Sequence, residues 1–208
     1  MQQPSLRIIA GCNGAGKSTY SKLFSEDVLP FDYDKRYLER YRSLPDSELR
    51  EEIAKNLTSD EFTTELENAL RSEKSFSFET NLMLPYPEWI ISKAKQLGYS
   101  LEMYFFCLSS EKLARERVDI RVKNDGHYVD DQTIKAKWKE GYKNINSHYT
   151  DFDYLLFVDN SQEKSPTLLF EMERLKENLF IFRKYCDELP EYTERRLPAI
   201  FDLLKVKK

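Results

Sequence analysis

"RIIAGCNGAGKSTYSKLF", residues 7–24, places three of the chain's six glycines within six positions. Gly11, then four residues, then Gly16, Lys17 and Ser18 spell the phosphate-loop pattern. The apolar run "LRIIAG" (6–11) leads in as a strand, and residues 16–26 lead out with helical periodicity. Glycines let backbone N–H groups turn inward around a polyphosphate, and the helix N-terminus adds positive potential. Lys17 is then placed to bridge the β and γ phosphates, and the Ser18 hydroxyl to reach Mg²⁺. At average glycine usage such a pattern arises by chance on the order of once in a hundred chains of this length, and the strand-before, helix-after context lowers that further. The expected ligands are therefore ATP and Mg²⁺, with Gly11, Asn13, Gly14, Ala15, Gly16, Lys17, Ser18 and Thr19 around the nucleotide and Ser18 on the metal.

The remaining composition narrows the setting. At 208 residues and 24.8 kDa the chain suits one domain with a proper core. Cys12, Cys107 and Cys186 are odd in number and widely spaced, so they read as free thiols of a reducing compartment. With no run of about 18 apolar residues and no basic, apolar leader at the start, the expectation is a cytoplasmic protein outside the membrane. A net charge of -4, from 32 basic and 36 acidic residues mixed along the chain, argues against nucleic acid as a partner. The 13 Tyr and 13 Phe are expected chiefly to build the core.

Four apolar runs have the character of buried strands: 6–11, 74–80, 100–109 and 153–160; "DVLPFDYD" (27–34) is a weaker fifth. Segments 16–26, 46–72, 87–97, 110–123 and 130–148 alternate with them at helical period. This order predicts an α/β P-loop NTPase fold, with a mostly parallel five-stranded sheet flanked by helices and ligands at the carboxyl ends of the strands. "PTLLFEMERLKENLFIFRKY" alternates on both sides of "RLKEN", which predicts a C-terminal β-hairpin followed by a short helix over about 191–205. The whole, 1–208, reads as one domain: an α/β core over 1–163 with a lid at about 110–148, then the hairpin and helix over 164–208.

Small size and the lack of a second nucleotide-binding half favour a small-molecule kinase. Phosphoryl transfer to a hydroxyl needs a carboxylate near the acceptor, cations on the transferring group and exclusion of water. Asp32 and Asp34 in "LPFDYDKRY" are the carboxylates beside the loop; Asp34 is chosen as general base, against a turn or N-cap role. Glu79, Thr80 and Asn81 follow an apolar strand. They can hold a polar acceptor, or Glu79 can reach Mg²⁺ through water, or it is a solvated strand end. Arg117 and Arg121 lie four apart on one helix, with Gly126 and His127 beyond. They read either as a lid that clamps phosphate or as a charged surface helix paired through Glu116 and Asp119. Cys12 can be an oxidisable thiol near a helix N-terminus, although a small tolerated residue is the preferred reading.

"IIAGCNGAGKSTYS", "FDYD", "FSFETNL", "LGYSLEMYFFCLSSEKLARERVDIRVKNDGHYVDDQTI" and "YLLFVDNS" come in the same order as in the short zeta-toxin-like P-loop kinases, which the chain resembles over roughly residues 6–182. The resemblance implies an ATP-dependent kinase related to the toxin halves of toxin–antitoxin systems, with an antitoxin protein as partner. The acceptor of the wider family is the 3'-hydroxyl of the amino sugar in UDP-N-acetylglucosamine. It also implies that Lys17 and Ser18 serve the phosphates and metal, Asp34 acts as base, Arg117 and Arg121 with Gly126 and His127 form the lid segment, and Glu79 and Thr80 line the acceptor pocket; Glu79, Thr80, Asn81 and His127 are the expected substrate-binding residues. Two positions depart from the family: Cys12 stands where a proline is usual, and Lys137 with Trp138 stands where an arginine precedes an aromatic. A lysine lacks the bidentate fork of arginine. Two rival readings remain, a nucleotide-dependent binding module with little turnover and a kinase of nucleic-acid ends; the acidic balance speaks against the second.

Overall fold

The computed structural model describes residues 3–25, 27–83, 87–123, 129–162, 165–177 and 179–205. In chain order the elements are β1 (Ser5–Ala10), α1 (Lys17–Tyr20), α2 (Tyr33–Ser43), α3 (Arg50–Arg71), β2 (Phe76–Thr80), α4 (Glu88–Gln96) and β3 (Ser100–Cys107). They continue with α5 (Glu111–Lys123), α6 (Asp131–His148), β4 (Tyr154–Asp159), β5 (Thr167–Lys176), β6 (Leu179–Lys184), α7 (Glu191–Arg196) and α8 (Pro198–Lys205).

The strands form one sheet in the order β2-β1-β3-β4-β5-β6. The first three pairings are parallel and the last two antiparallel. Leu6, Ile8, Ile9 and Ala10 have no exposed surface, as expected of a parallel strand covered on both faces. One face carries an aromatic column in which Phe157 stacks on Phe170 at 4.5 Å and Phe105 meets Tyr142 of α6 at 5.4 Å. On the other face Phe24 meets Tyr104 and Phe106 at 5.6 and 5.7 Å. Most phenylalanines thus serve the core, in line with the sequence.

β1 has β2 on one side and β3 on the other, so connections leaving the carboxyl ends of the two central strands diverge. That divergence opens a crevice at the end of β1, where doubly wound sheets bind ligands.

Three sequence expectations change in detail. The weak strand at 27–34 is reduced to one bridge, Phe31 with Phe78. The Phe31 N–H donates to the Ser77 carbonyl at 2.8 Å and its carbonyl accepts from the Glu79 N–H at 3.0 Å. Pro30 lacks an N–H and Asp32 caps α2 by accepting from the Lys35 N–H at 3.0 Å, which leaves no length for a strand. The hairpin forms as expected but joins the sheet through β4, so the sheet has six strands, four of them the parallel set, rather than five. The terminal helix is two, because Leu197 leaves helical geometry and Pro198 starts α8.

Candidate active site

The loop from Gly11 to Gly16 closes over the end of β1. Gly14 and Gly16 hold φ of 77° and 89°, the left-handed region that side chains resist. A Cβ on Gly14 would stand 2.7 Å from the Ala114 carbonyl of α5, and one on Gly16 would run into the Asn160 amide. Both glycines therefore allow backbone curvature and close approach of a neighbouring element. Ala15 is fully buried and shapes the loop from behind, its N–H on the Cys12 carbonyl at 3.1 Å. Cys12, Asn13, Gly14, Gly16, Lys17, Ser18 and Thr19 line the crevice. Burial pushes the Cys12 thiol up to about 11, partly offset by Lys17, which disfavours the thiolate form.

Lys17 leads α1. Its Nζ donates to the Gly11 carbonyl at 2.7 Å, the Cys12 carbonyl at 3.2 Å and Asn81 Oδ1 at 3.1 Å. Ser18 Oγ donates to Glu79 at 2.7 Å and Ser21 Oγ to the other Glu79 oxygen at 3.0 Å. Burial raises the Glu79 carboxyl above its ordinary range, and Asp32 adds to this; Lys17 and the two serines pull the other way. Glu79 is thus tied to the loop rather than solvated at a strand end. Ser18 and Glu79 present hard oxygen donors of the type Mg²⁺ takes beside phosphate oxygens. Among the described residues no group of three His, Cys, Asp or Glu could hold a metal.

Asp34 lies exposed in the first turn of α2 and lines the same crevice, while Asp32 serves as the cap that the sequence weighed as its rival role. Thr80 lines the crevice and its Oγ1 accepts from the Leu82 N–H at 3.1 Å. Leu82 holds a φ of 53° while fully buried, a strained turn that Asn144 of α6 pins by donating to the Leu82 carbonyl at 2.7 Å. That turn aims Asn81 at Lys17. Arg117 Nη1 donates to the Gly14 carbonyl at 3.4 Å and its Nη2 to the Gln162 carbonyl at 3.1 Å. Arg121 lines the crevice one turn further on. Gly126 and His127 lie outside the described residues. Lys137 is half buried within electrostatic reach of Asp34, Lys17 and Arg121; desolvation lowers its pKa and Asp34 partly restores it. Trp138 points into the core and donates to the Leu108 carbonyl at 3.2 Å.

Sequence reasoning missed Asn160, whose Nδ2 donates to the Ala15 carbonyl at 3.0 Å and so ties the loop to the end of β4. It also missed Tyr192 of α7, which donates to Asp159 at 2.6 Å just before Asn160. "YLLFVDNS" holds polar residues at a strand's carboxyl end, the one local signal that could have marked Asn160. The crevice opens into a cavity of about 1110 Å³ that runs from Arg117 and Gln162 past the loop to α2, α3 and α4.

A glycine loop ending β1, a lysine and serine opening the next helix, a carboxylate across the cavity and a cationic helix beside it define a P-loop fold of the kinase class. Within that class the family model of the zeta toxin matches residues 1–167, and the chain belongs to that family. No curated protein sequence matches it. Among solved structures it resembles one from the PezAT chromosomal toxin–antitoxin system of Streptococcus pneumoniae, with a TM-score of 0.59 and 14% identity over 99% of this chain and 89% of that one. It also resembles AvrRxo1-ORF1:AvrRxo1-ORF2 with sulphate ions, at a TM-score of 0.65 and 13% identity over 94% of this chain and 64% of that one. The same complex with ATP gives 0.57 and 12% identity over 81% and 58%. The chain spans under two thirds of the AvrRxo1 chain it matches, and at these identities the likeness is one of fold. Among the described residues no helix is long and apolar enough to cross a membrane.

Proposed function

We propose that residues 1–208 act as one kinase domain that moves the γ-phosphoryl group of ATP to a hydroxyl of a small molecule. The observation that carries this is the shared cavity, which Lys17, Ser18, Asp34, Arg117 and Arg121 all line. In this reading the loop amides and Lys17 hold the phosphates, and the arginines of the 110–148 lid neutralise charge on the transferring group. Asp34 takes the acceptor proton as the acceptor oxygen bonds to the γ-phosphorus and the bond to the ADP oxygen breaks. Mg²⁺, held by Ser18 with Glu79, supplies further charge neutralisation when bound.

Binding of a protein partner is the second reading, favoured by the toxin–antitoxin system and the two-component complex among the structural relatives. We propose an antitoxin partner in the cytoplasm, compatible with kinase activity rather than a substitute for it. Mass spectrometry of the protein with ATP, Mg²⁺ and UDP-N-acetylglucosamine, the acceptor of the wider family, tests the kinase reading together with that acceptor. A gain of one phosphate that is absent in Lys17→Ala supports both. If ATP binds and no such product appears, that acceptor is excluded and the search moves to other alcohols.

A further inference from the structure

The match to the zeta toxin family model ends at residue 167, and the chain beyond it comes back toward the phosphate loop. α7 and α8 bury Tyr192, Thr193, Leu197 and Ile200. Phe201 meets Phe170 of β5 edge-on at 6.1 Å. The Arg196 guanidinium lies 4.1 Å from the centre of the Trp138 ring. Asn146 of α6 donates to the Arg196 carbonyl at 2.7 Å and accepts from the Ala199 N–H at 3.1 Å. Apolar and polar contacts together thus dock the tail on α6 and β5, and from there it presents one hydroxyl to the end of β4.

That hydroxyl is Tyr192 Oη, which donates to Asp159 Oδ1 at 2.6 Å. The same carboxylate oxygen accepts from the Ser161 N–H at 3.0 Å and from the Ser161 hydroxyl. Ser161 Oγ in turn accepts from the Ser109 N–H at 2.9 Å, just ahead of α5. Between them stands Asn160, whose amide donates to the Ala15 carbonyl and packs so closely on Gly16 that no Cβ fits there. The Gln162 carbonyl accepts from Arg117 at 3.1 Å, and the other Arg117 nitrogen reaches the Gly14 carbonyl at 3.4 Å. Residues 159–162 therefore meet the phosphate loop twice, at Ala15 directly and at Gly14 through Arg117. β3 ends at Cys107, whose carbonyl takes the Asn160 N–H at 3.1 Å, so past that bond side chains hold the segment. Asp159, Asn160 and Tyr192 are all buried, and water does not replace a bond lost among them without opening the fold.

Resting on the kinase reading above, we propose that Tyr192 is a positioning residue for the nucleotide: through Asp159 and Asn160, the C-terminal helices hold the phosphate loop in the shape that binds ATP. Loop amides bind phosphate only while they converge, and a loop that must first regain that shape binds correspondingly more weakly. The crevice lining includes Asn160 but neither Tyr192 nor Asp159, so the hydroxyl acts on the ligand through the loop and not by touching it.

The test is calorimetry with Mg²⁺ and the non-hydrolysable ATP analogue AMP-PNP, at a temperature where circular dichroism shows every variant folded. Tyr192→Phe keeps the ring and deletes the hydroxyl. It should raise the Kd roughly two- to tenfold, the range that the net effect of one hydrogen bond spans. In an Asn160→Ala background the direct link to Ala15 is cut, and the same substitution should change the Kd by a smaller factor. Ile200→Val thins the buried face of α8, lowers stability without touching Asp159, and should bind as the wild type does. An unchanged Kd for Tyr192→Phe overturns the inference, as does the full factor persisting in the Asn160→Ala background. Equal weakening by Ile200→Val also overturns it, since the tail would then serve stability alone. A wild type that does not bind AMP-PNP refutes the kinase reading itself, a result distinct from a wild type and a Tyr192→Phe variant that bind equally well.

Discussion

Gly16 and Asn160 make a pair whose energies can be worked out before they are measured. Gly16→Ala forces an alanine into φ 89°, worth about 1 to 2 kcal/mol of left-handed strain. It also drives a methyl into the Asn160 amide, which adds roughly 1 to 3 kcal/mol of overpacking. Asn160→Ala removes the 3.0 Å bond to the Ala15 carbonyl and leaves that buried oxygen unsatisfied, at about 1 to 3 kcal/mol. In the double variant the clash has no partner, so only the strain and the lost hydrogen bond remain. Its destabilisation should fall short of the summed single effects by roughly 1 to 3 kcal/mol, the size of the clash. Urea unfolding followed by circular dichroism measures all four proteins. Single effects that add within about 0.5 kcal/mol would refute the contact between Asn160 and the loop.

Three further outcomes follow from the same site. Glu79→Gln should stabilise the ligand-free protein at neutral pH: a carboxyl whose folded pKa is raised binds protons more tightly folded than unfolded, so stability falls as pH climbs above about 4.5, and the variant should flatten that limb in thermal melts from pH 4 to 7. Lys137→Met should likewise stabilise the fold at neutral pH, because the lysine is charged at a desolvation cost, yet it should weaken AMP-PNP binding in calorimetry by removing a cation near Lys17 and Arg121; unchanged affinity would take Lys137 away from the phosphates. Tyr192→Phe deletes the donor to Asp159 and should cost about 1 kcal/mol in denaturant unfolding, whereas no loss would mean that α7 does not brace the end of β4.

Much of this architecture is local and therefore readable. A phosphate loop needs glycines and a lysine at fixed short spacing, and parallel strands buried on both faces show as continuous apolar runs such as "LRIIAG" and "YLLFVD". "VLPFDYD" misled because a bridge residue between a proline and a helix cap has the residue types of a strand without its length. The sheet gained its hairpin through β4–β5 pairing, a choice made by packing. Asn160 was invisible as a loop support because its partner Ala15 is 145 residues away, and Asn144 lies 62 residues from Leu82. Glu79 showed itself as a polar residue ending an apolar strand, but its bonds to Ser18 and Ser21 depend on the β1–β2 register, which no short window of sequence contains.

The account stands or falls on phosphoryl transfer with Asp34 as base. The most direct measurement incubates the protein with [γ-³²P]ATP, Mg²⁺ and a small-molecule extract rich in alcohols, and separates labelled products by chromatography. Wild type is predicted to form a labelled low-molecular-weight ester, and Asp34→Asn to form none while binding ATP with unchanged affinity. Label found only in inorganic phosphate with the wild type, or full ester formation by Asp34→Asn, would contradict it.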